Sequence, residues 1–368
     1  MTDKEYKLPF FLKASIFLLG LIALFAILYI AKSIIVPFIF AVIIAIVLHP
    51  VVNFFVRRKI NRIVAISITM FLIFLILAGV GMLLFSQASR FGDAWPVLVE
   101  KFTTSVNQSI AWVSGYFDIN PLKIQEWVTK TKGEILNMSS RLVGQTLVGI
   151  GNGLVILFLL PVYIFLLLYY HPLILDFIHK IFGKDNRGRV SEIITQIKTV
   201  IQRYLIGLII EFVIVAVLNS VGLLILGIDY AILLGVMGAA LNVIPYIGGI
   251  IGVAIFAVVA LVTKSPVYVI YVLVLYSVIQ FVDNNYIVPK IVSSKVKINA
   301  LFSVIIVIAG NALWGISGMF LSIPLLAIAK LIFDHIDPLK PWGFLLGDTM
   351  PPVLKIKHLL KKFKKKTV

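Results

Sequence analysis

Long apolar runs separated by short polar clusters dominate the chain. The first run spans Ala14–Ala31 and the second Ile34–Leu48, extended by VVNFF. The cluster RRKINR (Arg57–Arg62) interrupts, and a third run fills Ile63–Phe85. A fourth covers Val148–Tyr170, a fifth Leu205–Gly227 and a sixth Val267–Val282. A helix needs roughly 20 apolar residues to cross the hydrocarbon core, so the pattern predicts about six full transmembrane helices. Two further apolar stretches, Ala231–Val262 and Asn299–Phe333, are broken in the middle. NVIPYIGGIIG (Asn242–Gly252) breaks the first and GNALWGISG (Gly310–Gly318) the second.

Two segments are polar enough to lie outside the bilayer. Ser86–Leu147 has mixed charge, aromatic residues at Trp95, Phe102, Trp112, Phe117 and Trp127, and a break at Asn120–Pro121. It reads as a small, mainly helical extracytoplasmic insert, serving either as a gate or funnel or as an assembly surface. After the fourth run, Lys180, Lys184, Arg187, Arg189, Lys198 and Arg203 accompany Val190, Ile193, Ile194, Ile197, Val200, Ile201 and Tyr204 at helical spacing. That stripe suits a helix on the membrane surface or one packed under the bundle. The organisation expected is spans one to three in 1–85, the insert in 86–147 and span four with the amphipathic helix in 148–204. A transport core in 205–335 and a basic tail in 336–368 follow.

Composition sharpens the class. Of 368 residues 61% are hydrophobic and 13% charged, against about 25% charged in soluble domains. Mean hydropathy is +1.07. This is an all-α polytopic membrane protein. The absence of cysteine excludes disulfides and thiolate chemistry. The net charge of +17 comes from clusters beside apolar runs, as in cytoplasmic loops. No recognition module accompanies them, so nucleic acid is not the partner. The first run is longer than a signal-peptide core and lacks a small-residue cleavage site, so it is expected to be retained.

The same clusters orient the chain. Lys4, Lys7 and Lys13 precede span one and RRKINR follows span two, placing both in the cytoplasm of a bacterial inner membrane. The tail KIKHLLKKFKKK is cytoplasmic too. It either binds anionic lipid, at about 1 kcal/mol per basic residue near the surface, or only sets topology. Span five then ends outside and span six begins outside, so the first broken run returns to its starting face. The second broken run lies between cytoplasmic ends and also returns. Both read as re-entrant helical hairpins of opposite orientation, because irregular backbone survives in lipid only where protein or a wet cavity satisfies it. A span plus hairpin, repeated upside down, points to the site of a secondary transporter.

IPYIGG with IIG after it, DNNYIVPKIV (Asp283–Val292) and GNALWGISGMFLSIPLLAIAK (Gly310–Lys330) resemble the signatures of the autoinducer-2 exporter family. The resemblance covers nearly the whole chain. It implies export of a small polar, autoinducer-2-like signalling molecule or, as in other members, sodium/proton antiport; the paired hairpins predict that such transport runs by alternating access. Homo-oligomers, with pentamers described, are implied as well. Gly249 stands where the family usually has Pro, Ser293 where it has Gly, and INAL (Ile298–Leu301) replaces a Leu-His-Pro-Leu-like stretch. These departures bear on the substrate more than on the fold.

Glu211 is the one carboxylate well inside an expected span. Such a group usually faces a cavity or a partner; it is either a proton- or cation-responsive group or an interfacial partner of Arg203. Asp283, Asn284 and Asn285 precede Pro289 and carry oxygens suited to a hard cation such as Na+, or to a polyol; capping a span end is their other reading. Asn242 and Asn311 flank the two turns, which Pro245, Gly248 and Gly249, and Gly315 and Gly318, would form. Each asparagine either binds solute or satisfies freed backbone groups. Tyr246 lines the pathway or merely packs. Asn219, Ser220 and Gln280 read as interhelical hydrogen-bonding groups.

GISG (Gly315–Gly318) mimics an intramembrane serine-protease motif, yet His335 would lie roughly 27 Å from Ser317 along a continuous helix. No zinc-protease or P-loop pattern occurs, and no enzyme activity or cofactor is expected. A channel or a non-transporting membrane assembly protein is the competing class.

Overall fold

The computed structural model describes residues 9–117, 158–183, 186–244, 247–292 and 298–349, and among them every regular element is helical. In chain order these are α1 (Phe10–Ile30), α2 (Lys32–Arg57), α3 (Arg62–Phe117), α4 (Phe158–Tyr169), α5 (His171–Phe182) and α6 (Arg187–Ile225). Then come α7 (Ala231–Asn242), α8 (Ile247–Thr263), α9 (Pro266–Val282), a π-helical segment (Asp283–Val292), α10 (Ala300–His335) and α11 (Lys340–Leu346). Residues 118–147 of the insert expected over 86–147 lie outside the described residues, as do residues 350–368 of the tail expected over 336–368.

Local chemistry explains the boundaries. α6 stops at Gly227, whose φ of 66° is the left-handed geometry of a helix C′ residue. Ile228 N–H then closes back onto the Leu223 carbonyl and Gly227 N–H onto that of Leu224. α9 starts with Pro266, whose missing N–H is an orphan there anyway. α10 is capped by Asn299, whose side chain accepts from Phe302 N–H at 3.0 Å.

Two of the expected boundaries fall inside continuous helices. α3 passes Phe85–Ser86 unbroken and reaches Phe91, whose ring meets Tyr230 edge-on at 5.3 Å. α6 joins the amphipathic basic stretch to span five as one helix of 39 residues. Its stripe packs under the bundle: Ile201 and Tyr204 are buried with Ile43 of α2 and Leu321 of α10.

Contacts sort the helix ends into two groups. One end carries Arg62 donating to the Leu168 carbonyl, Gln202 to that of Ile46 and Arg189 to that of His335. The other carries the Phe91–Tyr230 pair. α7 and α8 run antiparallel from this second end, with Gly238 against Phe256 and Gly252 against Gly238. Their turn points toward the basic end.

α10 folds the opposite way. Its 36 residues are long and apolar enough for one span, but a straight helix of that length would be roughly 54 Å long. Instead Ser322 Oγ donates to the Ile306 carbonyl at 2.9 Å and Gly310 touches Gly318. The reversal is at Gly315, with φ 63° and ψ −142°, a backbone state open essentially to glycine alone. α10 is therefore a helical hairpin with both ends at the basic end. α1, α2, α3, α6 and α9 with its π extension are each long and apolar enough to cross a membrane, and α4 is so only together with α5, across a 64° bend.

Apolar burial lends little force between helices in lipid, so close packing of small groups matters more. α6, α7, α8 and α9 enclose Leu223, Leu234, Phe256 and Val272. α2, α3 and α4 enclose Ala41, Ala45, Ala65 and Ile66. α2 also faces α6 and α10, and so joins the early spans to the hairpin-bearing half.

Candidate functional site

The turn of the first hairpin comes down on a polar row. Tyr276, Gln280 and Asn284 recur every fourth residue, one turn apart on the same side of α9 and its extension. At Asp283 the helix widens to π geometry, which is rare and concentrated at functional sites. The segment accommodates Pro289, which has no N–H to give.

One connected network results. Tyr276 OH donates to the Gly249 carbonyl at 2.8 Å. Gln280 Nε2 donates to Tyr276 OH at 2.8 Å and to Asn242 Oδ1 at 3.0 Å. Asn242 Nδ2 then donates to Asp283 Oδ2 at 2.9 Å. Asn284 Nδ2 reaches Gln280 Oε1 at 3.4 Å. Gly248 lets the hairpin close, since a Cβ there would overlap the Leu241 carbonyl.

The network is short of donors at its end. Asp283 is 1% exposed, and its Oδ1 is buried without a hydrogen-bond partner. Glu211 on α6 is 7% exposed, and among the described residues no ion pair to it occurs; Arg203 is exposed and forms none with it. α6 packs along the π segment, bringing the two carboxylates within electrostatic range of each other. Two turns further along the same face of α6, Asn219 is buried with neither amide atom bonded. A buried polar atom with no partner costs about 1–3 kcal/mol, so Asp283 and Asn219, with the buried Glu211 carboxylate of α6, are poised for an outside ligand. Carboxylate and amide oxygens suit a hard monovalent cation, a proton or a hydroxyl-rich solute.

The other expected residues divide. Asn285 is exposed and returns its amide to the Phe281 carbonyl at 2.8 Å, and Pro289 is exposed. Asn311 is exposed and does not join Asn242. Gly315 and Gly318 shape the second hairpin, and Trp314 Nε1 ties its turn to the Leu28 carbonyl of α1 at 2.9 Å. Pro245 and Tyr246 lie outside the described residues. Tyr276 escaped the sequence reading, and Gln280 entered it only as an interhelical bond; the fourfold spacing with Asn284 is the signal that groups them.

Comparison with known proteins follows the same lines. The family model described as AI-2E family transporter matches residues 18–337. The AI-2 transport protein TqsA of Escherichia coli (strain K12) is 24% identical over 319 residues, covering 86% of this chain and 90% of TqsA. YueF of Bacillus subtilis (strain 168) is 23% identical over 310 residues, 82% of this chain and 83% of YueF. YrrI from the same strain is 30% identical over 152 residues, 41% of this chain and less than half, 43%, of YrrI. With its membrane-length helices and this match over most of its length, the chain belongs to the AI-2E family of membrane transporters.

Proposed function

We propose that the protein is a secondary transporter that exports a small polar solute by alternating access. The observation that carries this reading is the Asp283 carboxylate, buried, held by Asn242 at a hairpin turn on one oxygen and bare on the other. A structural carboxylate would have its acceptors filled. A transport site keeps them free for the passing ligand. The two hairpins enter the membrane from opposite faces, re-entrant in both cases, and alternate exposure of the polar network through relative movement of the hairpin-bearing half and the early spans. The name of TqsA, an AI-2 transport protein, supports an autoinducer-2-like solute.

Sodium/proton antiport is the second reading. It is favoured by Glu211 and Asp283, two buried carboxylates to which no cationic side chain is paired among the described residues. In both readings the protein sits in the inner membrane with its termini in the cytoplasm, on the side where basic loops accumulate. It works as a homo-oligomer, the pentamer implied by the family resemblance, with the exposed apolar faces of α1 and α9 available for subunits or lipid. Everted vesicles supplied externally with a labelled autoinducer-2-like polyol test the first reading. Saturable uptake driven by an ion gradient supports export, and a conductance without saturation would make the protein a channel.

A further inference from the structure

At the basic end, four helices bring basic side chains together, and among the described residues no carboxylate joins them. Lys198 of α6 places Nζ 2.7 Å from His49 Nδ1 of α2. The His49 ring lies against His171, the first residue of α5, with centroids 4.4 Å apart. Arg62, at the start of α3, donates to the Leu168 carbonyl at 2.7 Å. His171, Lys198 and Arg62 are all close enough to act on His49 electrostatically. All four residues are half-buried. No ion pair to Lys198 or Arg62 occurs among the described residues, whereas Lys180, Arg189, Lys330 and Lys340 all have acidic partners.

The cluster lacks acceptors as well as negative charge. Asn53 Nδ2 also lies 3.2 Å from His49 Nδ1, so two donors face one lone pair. Exchanging the Asn53 oxygen and nitrogen would give His49 an acceptor but leave Lys198 with none. Arg62 Nε is buried without a partner. A half-buried group of like charges is unfavourable unless something anionic joins it. Around the cluster Phe54, Tyr169, Tyr170 and Leu173 are exposed apolar or aromatic residues, the kind that sits at the headgroup level of a bilayer.

We infer that Lys198, His49, His171 and Arg62 form a binding site for a phosphate group at the basic end of the bundle. A phosphate supplies several strong acceptors and the missing negative charge, and both Lys and Arg bind it well. An anionic phospholipid headgroup and a free phosphate ion share that chemistry. The site is separate from the Asn242–Asp283 network and does not depend on the transport reading.

The test uses the full-length protein in neutral detergent micelles and follows its thermal unfolding midpoint. Phosphatidylglycerol, phosphatidylcholine and inorganic phosphate are titrated separately at fixed ionic strength. Phosphatidylglycerol or inorganic phosphate is expected to raise the midpoint while phosphatidylcholine does not; which of the two acts identifies lipid or soluble phosphate. Lys198→Gln is expected to need at least about tenfold more of the active additive. Arg187→Gln removes the same charge from an exposed site on the same helix and is expected to follow the wild type. With no additive, Lys198→Gln is expected to unfold at the wild-type midpoint or above it, since a repulsion is relieved. No shift in the wild type, or an unchanged titration in Lys198→Gln, would overturn the site. So would a lower midpoint for Lys198→Gln without additive, which would make Lys198 a structural donor to His49.

Discussion

Asn242 and Asp283, 41 residues apart in sequence, are joined at 2.9 Å where the turn of the first hairpin meets the π-helical end of α9. The bond ties a broken element to a buried charge whose other oxygen is bare. Asn242→Ala strips that carboxylate of its donor. The expected result is a stability loss of about 1–3 kcal/mol together with a fall in transport rate of tenfold or more. Thermal unfolding in detergent and initial flux rates read the two effects.

The hairpin in α10 has a direct distance test. Asn299 donates to the Leu345 carbonyl at 2.8 Å, and Asp334 lies against Gly343, so the two ends of α10 are neighbours. Spin labels replacing Leu301 and His335 are expected to report a separation of roughly 15–25 Å. A straight helix would place them more than about 45 Å apart. The cysteine-free chain makes such labelling clean.

Gly315 carries the reversal through its backbone rather than its surroundings, since nothing lies within 4 Å of where a Cβ would stand. Gly315→Ala is therefore expected to cost about 1–3 kcal/mol through conformation alone. A substitution at Gly310 acts differently, by collision with Ser322 and the Gly318 carbonyl. Thermal unfolding of Gly315→Ala with and without Gly310→Ala separates the two effects.

Much of this was legible in the amino-acid pattern because topology obeys parity. Basic clusters place the ends of the runs, and two broken runs must return to the faces they left. Pro245 and the glycines mark where. Three features were not legible. The π segment over Asp283–Val292 depends on how α9 packs against α6, and no local propensity announces it. The continuity of α6 hides because its pattern changes from an amphipathic stripe to an almost uncharged apolar run near Tyr204, so one helix reads as two elements. Asn242 and Asn311 look equivalent beside their turns, yet only Asn242 meets polar groups from another helix. That difference belongs to tertiary packing.

Tyr276 links the two arms of the network by donating to the Gly249 carbonyl and accepting from Gln280. Tyr276→Phe keeps the ring that meets Phe256 edge-on at 5.9 Å and removes only the hydroxyl. About 1 kcal/mol of stability is expected to go, with a larger change in flux than in unfolding temperature, because Gln280 loses a partner and releases Asn242. Equal small effects on both would mean the network only stabilises the fold.

Asp337 offers a pH dependence away from the bilayer. The hydrogen bond from Lys340 Nζ at 2.7 Å, then the charges of Lys340 and Arg189, hold its carboxyl below the usual aspartate range. A depressed folded pKa contributes stability above the unfolded value that is lost as pH falls through the folded one. The carboxyl is exposed, so the effect is small. Asp337→Asn is expected to flatten the acid limb of the unfolding profile below the ordinary aspartate range and to leave neutral pH nearly unchanged.

The claim that the carboxylates beside the first hairpin couple transport to an ion, as the antiport reading requires, is tested most directly in liposomes holding a trapped pH dye. A sodium gradient is imposed on vesicles carrying wild type, Glu211→Gln or Asp283→Asn, with empty vesicles beside them. Sodium-driven proton movement in the wild type that disappears in both variants is the expected result. Flux that persists unchanged in Asp283→Asn and Glu211→Gln, with equal protein incorporated, would contradict the account.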